Sequence, residues 1–202
     1  MRSKVFQAVL LGGIAVVAIA GCTSGPTSPS GGGTTTAAPA TSASKSEIAS
    51  PLDISKFSGD TCSGLTDSQI APYLAELRNK QQQAGDNGPI CTFLPKNPLG
   101  PTTTIGVQNT ATPTQDSLYD SLSNFSWREK IPAVSGYPAA NASTAGNSTG
   151  GDCETVVAVN EKQNLYVQFS DTSESDPNYA KPCTVSNSLV AAMIQNIQAG
   201  GA

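Results

Sequence analysis

Three groups of residues in this chain have types and spacings able to do chemistry. Ile19-Ala20-Gly21-Cys22 closes a short apolar run, residues 5–20, that follows Arg2 and Lys4. A basic start, an apolar stretch interrupted by Gln7 and Gly12-Gly13, then small residues and a cysteine form the pattern of a secretory leader. Such a leader, here residues 1–21, is cleaved ahead of a thiol that is then acylated. Cys22 is therefore the expected lipid-attachment residue. Acyl chains such as palmitate gain roughly 0.8 kcal/mol per buried methylene, and several together hold a chain lastingly in a bilayer. The competing reading is a membrane-spanning helix, which takes about 20 apolar residues; this run is shorter and carries two glycines and a glutamine.

The second group is Cys62, Cys91, Cys153 and Cys183. An even number of cysteines in an exported chain reads as two disulfides, with three possible connectivities. Placement favours one of them, Cys62 with Cys183 and Cys91 with Cys153. Cys62 precedes the first predicted helix and Cys183 opens the last, so joining them would pin both to one side of a sheet, while Cys91 and Cys153 both begin predicted strands. A zinc site is not expected, because its ligands usually come in close pairs, whereas no two cysteines lie closer than 29 positions and there is no histidine. Neither a metal nor a cofactor is expected.

The third group is the carboxylate pair Asp152 and Glu154, the best raw material for acid-base work in a chain without histidine. Ser-His-Asp, Cys-His and His-metal chemistries are all closed to it. The expectation is that strand alternation points the pair to opposite faces. Ser42-Ala43-Ser44-Lys45 has S-x-x-K spacing but falls in a flexible stretch that cannot hold a nucleophile against its base. No placed constellation meets the requirements of a catalytic site, so a non-enzyme is expected.

What must position these groups is one ordinary domain behind a tail. Of 202 residues, 22–51 are almost wholly Thr, Ser, Gly, Ala and Pro, including Gly31-Gly32-Gly33 and Thr34-Thr35-Thr36. Such a segment has too little apolar bulk to fold and reads as a disordered tether. A coil of that length spans about 30 Å on average and at most about 100 Å. Residues 52–202 then form the single extracytoplasmic domain. The leader holds two of the 11 Lys and Arg, leaving nine against 15 Asp and Glu, a mature charge of −6. A mildly acidic chain with no dense basic run is unsuited to nucleic acid or anionic headgroups.

Thr66-Asp67-Ser68-Gln69 has capping-box spacing, and Ile70, Leu74 and Leu77 follow on one helical face. Pro72 predicts a kink there, or a helix restarting at the proline and running to the turn Gly85-Asp86-Asn87-Gly88-Pro89. Strands are predicted over 90–94 and 102–108, a helix over 115–125 on Leu118, Leu122 and Phe125, and a strand over 127–131. Residues 133–139 hold too much Gly and Pro for a central strand, and 140–152 read as an exposed, mobile small-residue loop. Residues 153–159 and 165–169 alternate as a hairpin with one apolar face. Val185, Leu189, Met193 and Ile197 recur every four residues in a closing amphipathic helix, with Thr184 or Ser186 available as its cap. The order predicts an α+β fold: an antiparallel β-sheet packed against N- and C-terminal helices and braced by two disulfides.

These features also resemble an actinobacterial cell-envelope lipoprotein family, the domain of unknown function 3558. The resemblance rests on the lipobox and tether, Cys62-Ser63-Gly64-Leu65-Thr66 ahead of a helix, and Cys91-Thr92-Phe93. It continues through Val134-Ser135-Gly136-Tyr137-Pro138-Ala139, Cys153 leading into Val156-Val157-Ala158-Val159, and Pro182-Cys183 opening the last helix, and covers residues 53–199. Pro72, and a phenylalanine where a tryptophan is frequent, depart from its pattern. The resemblance implies a cell-envelope location and transfers no catalytic residue. The expected role is a lipid-anchored, non-catalytic module on the extracytoplasmic face of the membrane, binding a cell-wall lipid, glycan or peptide. Trp127, Tyr137 and Tyr166 are its candidate contact residues. The alternative role is a protein-interaction or structural subunit recruiting an envelope partner.

Overall fold

The computed structural model describes residues 47–74 and 76–201; the leader, Cys22 and most of the tether lie outside them. The described chain forms one unit built on a seven-stranded antiparallel sheet. Its strands are β1 (Leu77–Gly85), β2 (Gly88–Pro95), β3 (Thr102–Gln108), β4 (Trp127–Val134), β5 (Tyr137–Ser143), β6 (Asp152–Ala158) and β7 (Asn164–Ser170). Their spatial order, β1-β2-β3-β7-β6-β5-β4, sets two meanders side by side with β3 and β7 at the seam. The helices are α1 (Ser55–Gly59), α2 (Asp67–Ile70), α3 (Gln115–Ser121) and α4 (Pro182–Gln198), with a 3₁₀ turn at Thr61–Gly64.

Period-two alternation gives the sheet two unlike faces. Phe93, Ile105, Val167 and Phe169 share one face and are fully buried. The N-terminal elements and α4 cover it, α4 contributing Val185, Leu189, Met193 and Ile197. A polar cluster also ties α4 down: Thr155 Oγ1 lies 2.9 Å from Asn141 Oδ1 and 2.7 Å from both Ser186 Oγ and Asn187 Oδ1. One hydroxyl hydrogen cannot serve two amide oxygens, so one of the two asparagines must turn its NH2 toward Thr155. On the opposite face α3 packs on β4, β5 and β6, where Ala140 and Ala142 are small enough to let a helix approach. The Arg128 guanidinium on that side stacks 4.3 Å from the Tyr119 ring.

Several expectations are corrected here. The helix predicted between Pro72 and Gly85 is instead a turn followed by β1. The capping box Thr66/Gln69 does form but caps only the four residues of α2. Residues 78–83 are good helix formers with no apolar stripe to bury, and strand pairing with β2 outweighs propensity. β5 lies between β4 and β6, although 133–139 read as unfit for a central strand. Ser135 and Gly136 take positive φ and make the hairpin turn, while Pro138 sits where the β4 register shifts and before pairing to β6 begins, so its missing N–H costs no ladder bond. The predicted mobile loop 140–152 accordingly shrinks to 144–151, because residues 140–143 are buried strand. Pro182 at the first turn of α4, with Lys181 as N-cap, replaces the expected Thr184 or Ser186 cap.

The disulfides are Cys62–Cys91 and Cys153–Cys183, with Cα separations of 5.1 and 5.0 Å. The favoured Cys62–Cys183 and Cys91–Cys153 pairings are thereby overturned. β2 and β6 stand three strands apart, roughly 14 Å at about 4.8 Å per strand, beyond the roughly 7 Å a disulfide bridges. The packed chain also starts upstream of residue 52: Ile48 is buried, and Glu47 accepts from the Gln115 amide through Oε2.

Candidate ligand groove

The part of the second face that α3 leaves uncovered is built from two cross-strand rows. One runs Glu154, Gln168, Thr104, Thr92, the other Val156, Tyr166, Gly106, Ile90. Most of these positions are polar or half-exposed, whereas the same strands are apolar on their reverse side. The end of β1 and the β1–β2 turn, residues 83–88, line a groove of about 360 Å³ together with Ile90, Tyr166, Gln168 and Glu154, within the usual size of small-ligand sites.

Glu154 forms its floor. The side chain is 7% exposed, unusual for a carboxylate. Gln108 reaches diagonally from β3 past β7 to donate through Nε2 to Glu154 Oε1 at 3.2 Å, and Oε2 takes no hydrogen bond among the described residues. Burial pushes the Glu154 carboxyl up to about 7; the Gln108 bond opposes that shift and Asp152 reinforces it. Tyr166, half-buried across the groove, is itself pushed up to about 12 by burial and by Glu154.

Asp152 and Glu154 lie two apart on one strand and therefore on one face; the expectation that alternation separates them is corrected by that spacing. They still do not act together. Asp152 accepts four hydrogen bonds, from Gln168 Nε2 at 3.3 Å, Ser143 Oγ at 3.4 Å, and Thr144 N and Oγ1 at 3.0 Å each, which anchor the β5–β6 connection. The groove lining contains Glu154 and not Asp152.

The three aromatic candidates are not brought together. Tyr166 lines the groove. Tyr137 starts β5, 7% exposed, and belongs to the core; Trp127 opens β4 at the far edge of the sheet. Those two sit at opposite ends of the β4–β5 hairpin, roughly 20 Å apart at strand rise. Gln108 and Gln168, and Glu154 without Asp152, are groove residues that the sequence alone does not place there. Their signal is a polar side chain set every second residue among Val, Leu and Phe in strands buried on the reverse face.

A larger cleft, about 800 Å³, lies among residues 95–101 and 172–176. Its walls are loops, its Glu76 and Lys96 satisfy each other on the surface at 2.9 Å, and Leu99 is 75% exposed. The smaller groove is the better site because its polar groups converge from rigid strands. Among the described residues no group of three or more acidic or cysteine side chains could hold a metal, and no helix is long and apolar enough to cross a membrane.

Comparison with known proteins finds one family model, described as "Protein of unknown function (DUF3558)", matching residues 17–196. No curated protein and no solved structure matches.

Proposed function

The chain belongs to the DUF3558 family, and on that premise we propose that it is a lipid-anchored binding module of an actinobacterial cell envelope. Residues 1–21 act as the secretory leader, acylated Cys22 holds the protein on the outer face of the membrane, and the tether presents the domain to the wall. The ligand is a wall glycan, and it lies in the groove between Tyr166 and Glu154.

The observation that carries this reading is the kind of polar group in the groove. Gln83, Gln108 and Gln168 line it beside one tyrosine ring. Side-chain amides both donate and accept, matching sugar hydroxyls, which do the same. A ring face covers the apolar side of a sugar. An extended peptide would take its affinity from the ladder of a sheet edge, and a lipid tail from an apolar lining; this groove lies on a sheet face and is polar. The activity is binding, without catalysis, because Asp152 is occupied structurally and Asp86, the other acid of the lining, sits on the β1–β2 turn with no hydrogen bond among the described residues holding it against Glu154.

Native mass spectrometry of the protein purified from its own envelope tests the reading. A co-purified saccharide mass, lost in Tyr166→Ala and Gln168→Ala, is the expected result. A ligand-free protein, or a ligand retained by both variants, contradicts it.

A further inference from the structure

The groove holds one feature whose charge a neutral sugar leaves unbalanced. Glu154 is a carboxylate at 7% exposure whose protein partner is a neutral amide, Gln108. Burying a carboxylate with no opposite charge is costly. No lysine or arginine lines the groove. Around Glu154 the titratable groups are Asp152 on its own strand, Tyr166 on β7, and Asp86 at the turn of the β1–β2 hairpin. From the α3 side, Asp116 is paired with Lys130, and Arg128 donates to the Tyr119 and Asp120 carbonyls. The groups that act on the Glu154 carboxyl are thus neutral or acidic, and its side chain lines an open groove of ligand size, with Oε2 taking no hydrogen bond among the described residues.

We propose that the ligand carries a protonated primary amine, as a de-N-acetylated amino sugar does, and that this ammonium docks on the Glu154 carboxylate. The proposal rests on the glycan reading above and adds to it the chemical class of the sugar. A bound ammonium supplies the missing opposite charge, and a charge-assisted hydrogen bond in a half-enclosed site is stronger than a neutral one. An N-acetylated sugar presents at the same place a neutral amide, whose N–H can donate to an ionised Glu154 but brings no positive charge to balance it. Its carbonyl would instead need Glu154 protonated, as a donor.

The test compares glucosamine tetramer with N-acetylglucosamine tetramer, by calorimetry at pH 6.5, on the full chain purified in detergent. The amine tetramer is expected to bind at least about tenfold more tightly, and the preference should shrink to about twofold in Glu154→Gln. Carbon NMR of the Glu154 carboxyl in the unmutated chain gives a second readout, independent of the variant's folding: the amine tetramer should lower its titration midpoint and the acetylated one should not. Equal or reversed preference, or a raised midpoint, overturns the amine proposal while leaving the glycan groove standing. If neither tetramer binds, both readings fall.

Discussion

The ring of Tyr166 lies across Gly106: a Cβ built on that glycine would stand 2.8 Å from Tyr166 Cε1. The same atom would meet Ile90 Cγ2 and the Pro89 carbonyl oxygen at 2.9 Å. Glycine in mid-strand is therefore what lets the tyrosine ring lie over the strand and line the groove. Gly106→Ala is expected to push the ring off the sheet, because the Pro89 backbone cannot yield. Overpacking of this kind costs about 1–3 kcal/mol. Chemical denaturation together with the Tyr166 ring resonances checks it; an unchanged midpoint and unchanged ring shifts would refute the contact.

Glu154 makes stability depend on pH with a sign opposite to ordinary acid unfolding. Its carboxyl sits at about 7 in the folded chain, against 4.5 for an unperturbed glutamate. Between those values the folded state holds more protons than the unfolded one, so its contribution is complete below about 4.5 and is lost as pH rises through about 7. The loss is a few kcal/mol at most. Glu154→Gln should remove that slope and be more stable than the unmutated protein at pH 8. Parallel stability profiles for the two proteins from pH 4.5 to 8 would contradict the burial argument.

Each disulfide closes a loop of about 30 residues, the separations being 29 and 30. In the chain-entropy model that is worth about 3–4 kcal/mol apiece. Replacing Cys153 and Cys183 together by serine should lower stability by that order and loosen α4 first. Peptide mapping without reduction should recover Cys62 joined to Cys91. A Cys62–Cys183 peptide would overturn the connectivity.

On the proposed reading, membrane attachment depends on Cys22. Cells fed radioactive palmitate should label the protein, and Cys22→Ala should abolish both the label and retention in the membrane fraction. A labelled Cys22→Ala protein would show that another residue carries the lipid.

Much of this fold is legible in the chain because its signals are local. β3 occupies residues 102–108 as its β-branched run predicts, and the Leu165-Val167-Phe169 face and the α4 stripe follow directly from their periods. The misreadings come where tertiary pairing decides. Residues 78–83 have helical propensity and become a strand because β2 offers them a ladder. Pro138 is tolerated because a register shift lies opposite it. The cysteine pairs depend on a strand order that brings β3 against β7, which no local pattern reveals. The groove was half visible: Tyr166 stands out by residue type, whereas Gln108, Glu154 and Gln168 acquire meaning only once β3, β7 and β6 lie side by side.

The central claim is that the uncovered sheet face between Tyr166 and Glu154 is where the ligand binds. Its most direct measurement is an NMR titration with glucosamine tetramer, following the side-chain NH2 signals of Gln108 and Gln168 and the ring of Tyr166. The account predicts saturable shifts at those three residues and little change elsewhere. Shifts confined to the loop cleft of residues 95–101 and 172–176, or to the Trp127 edge, would contradict it.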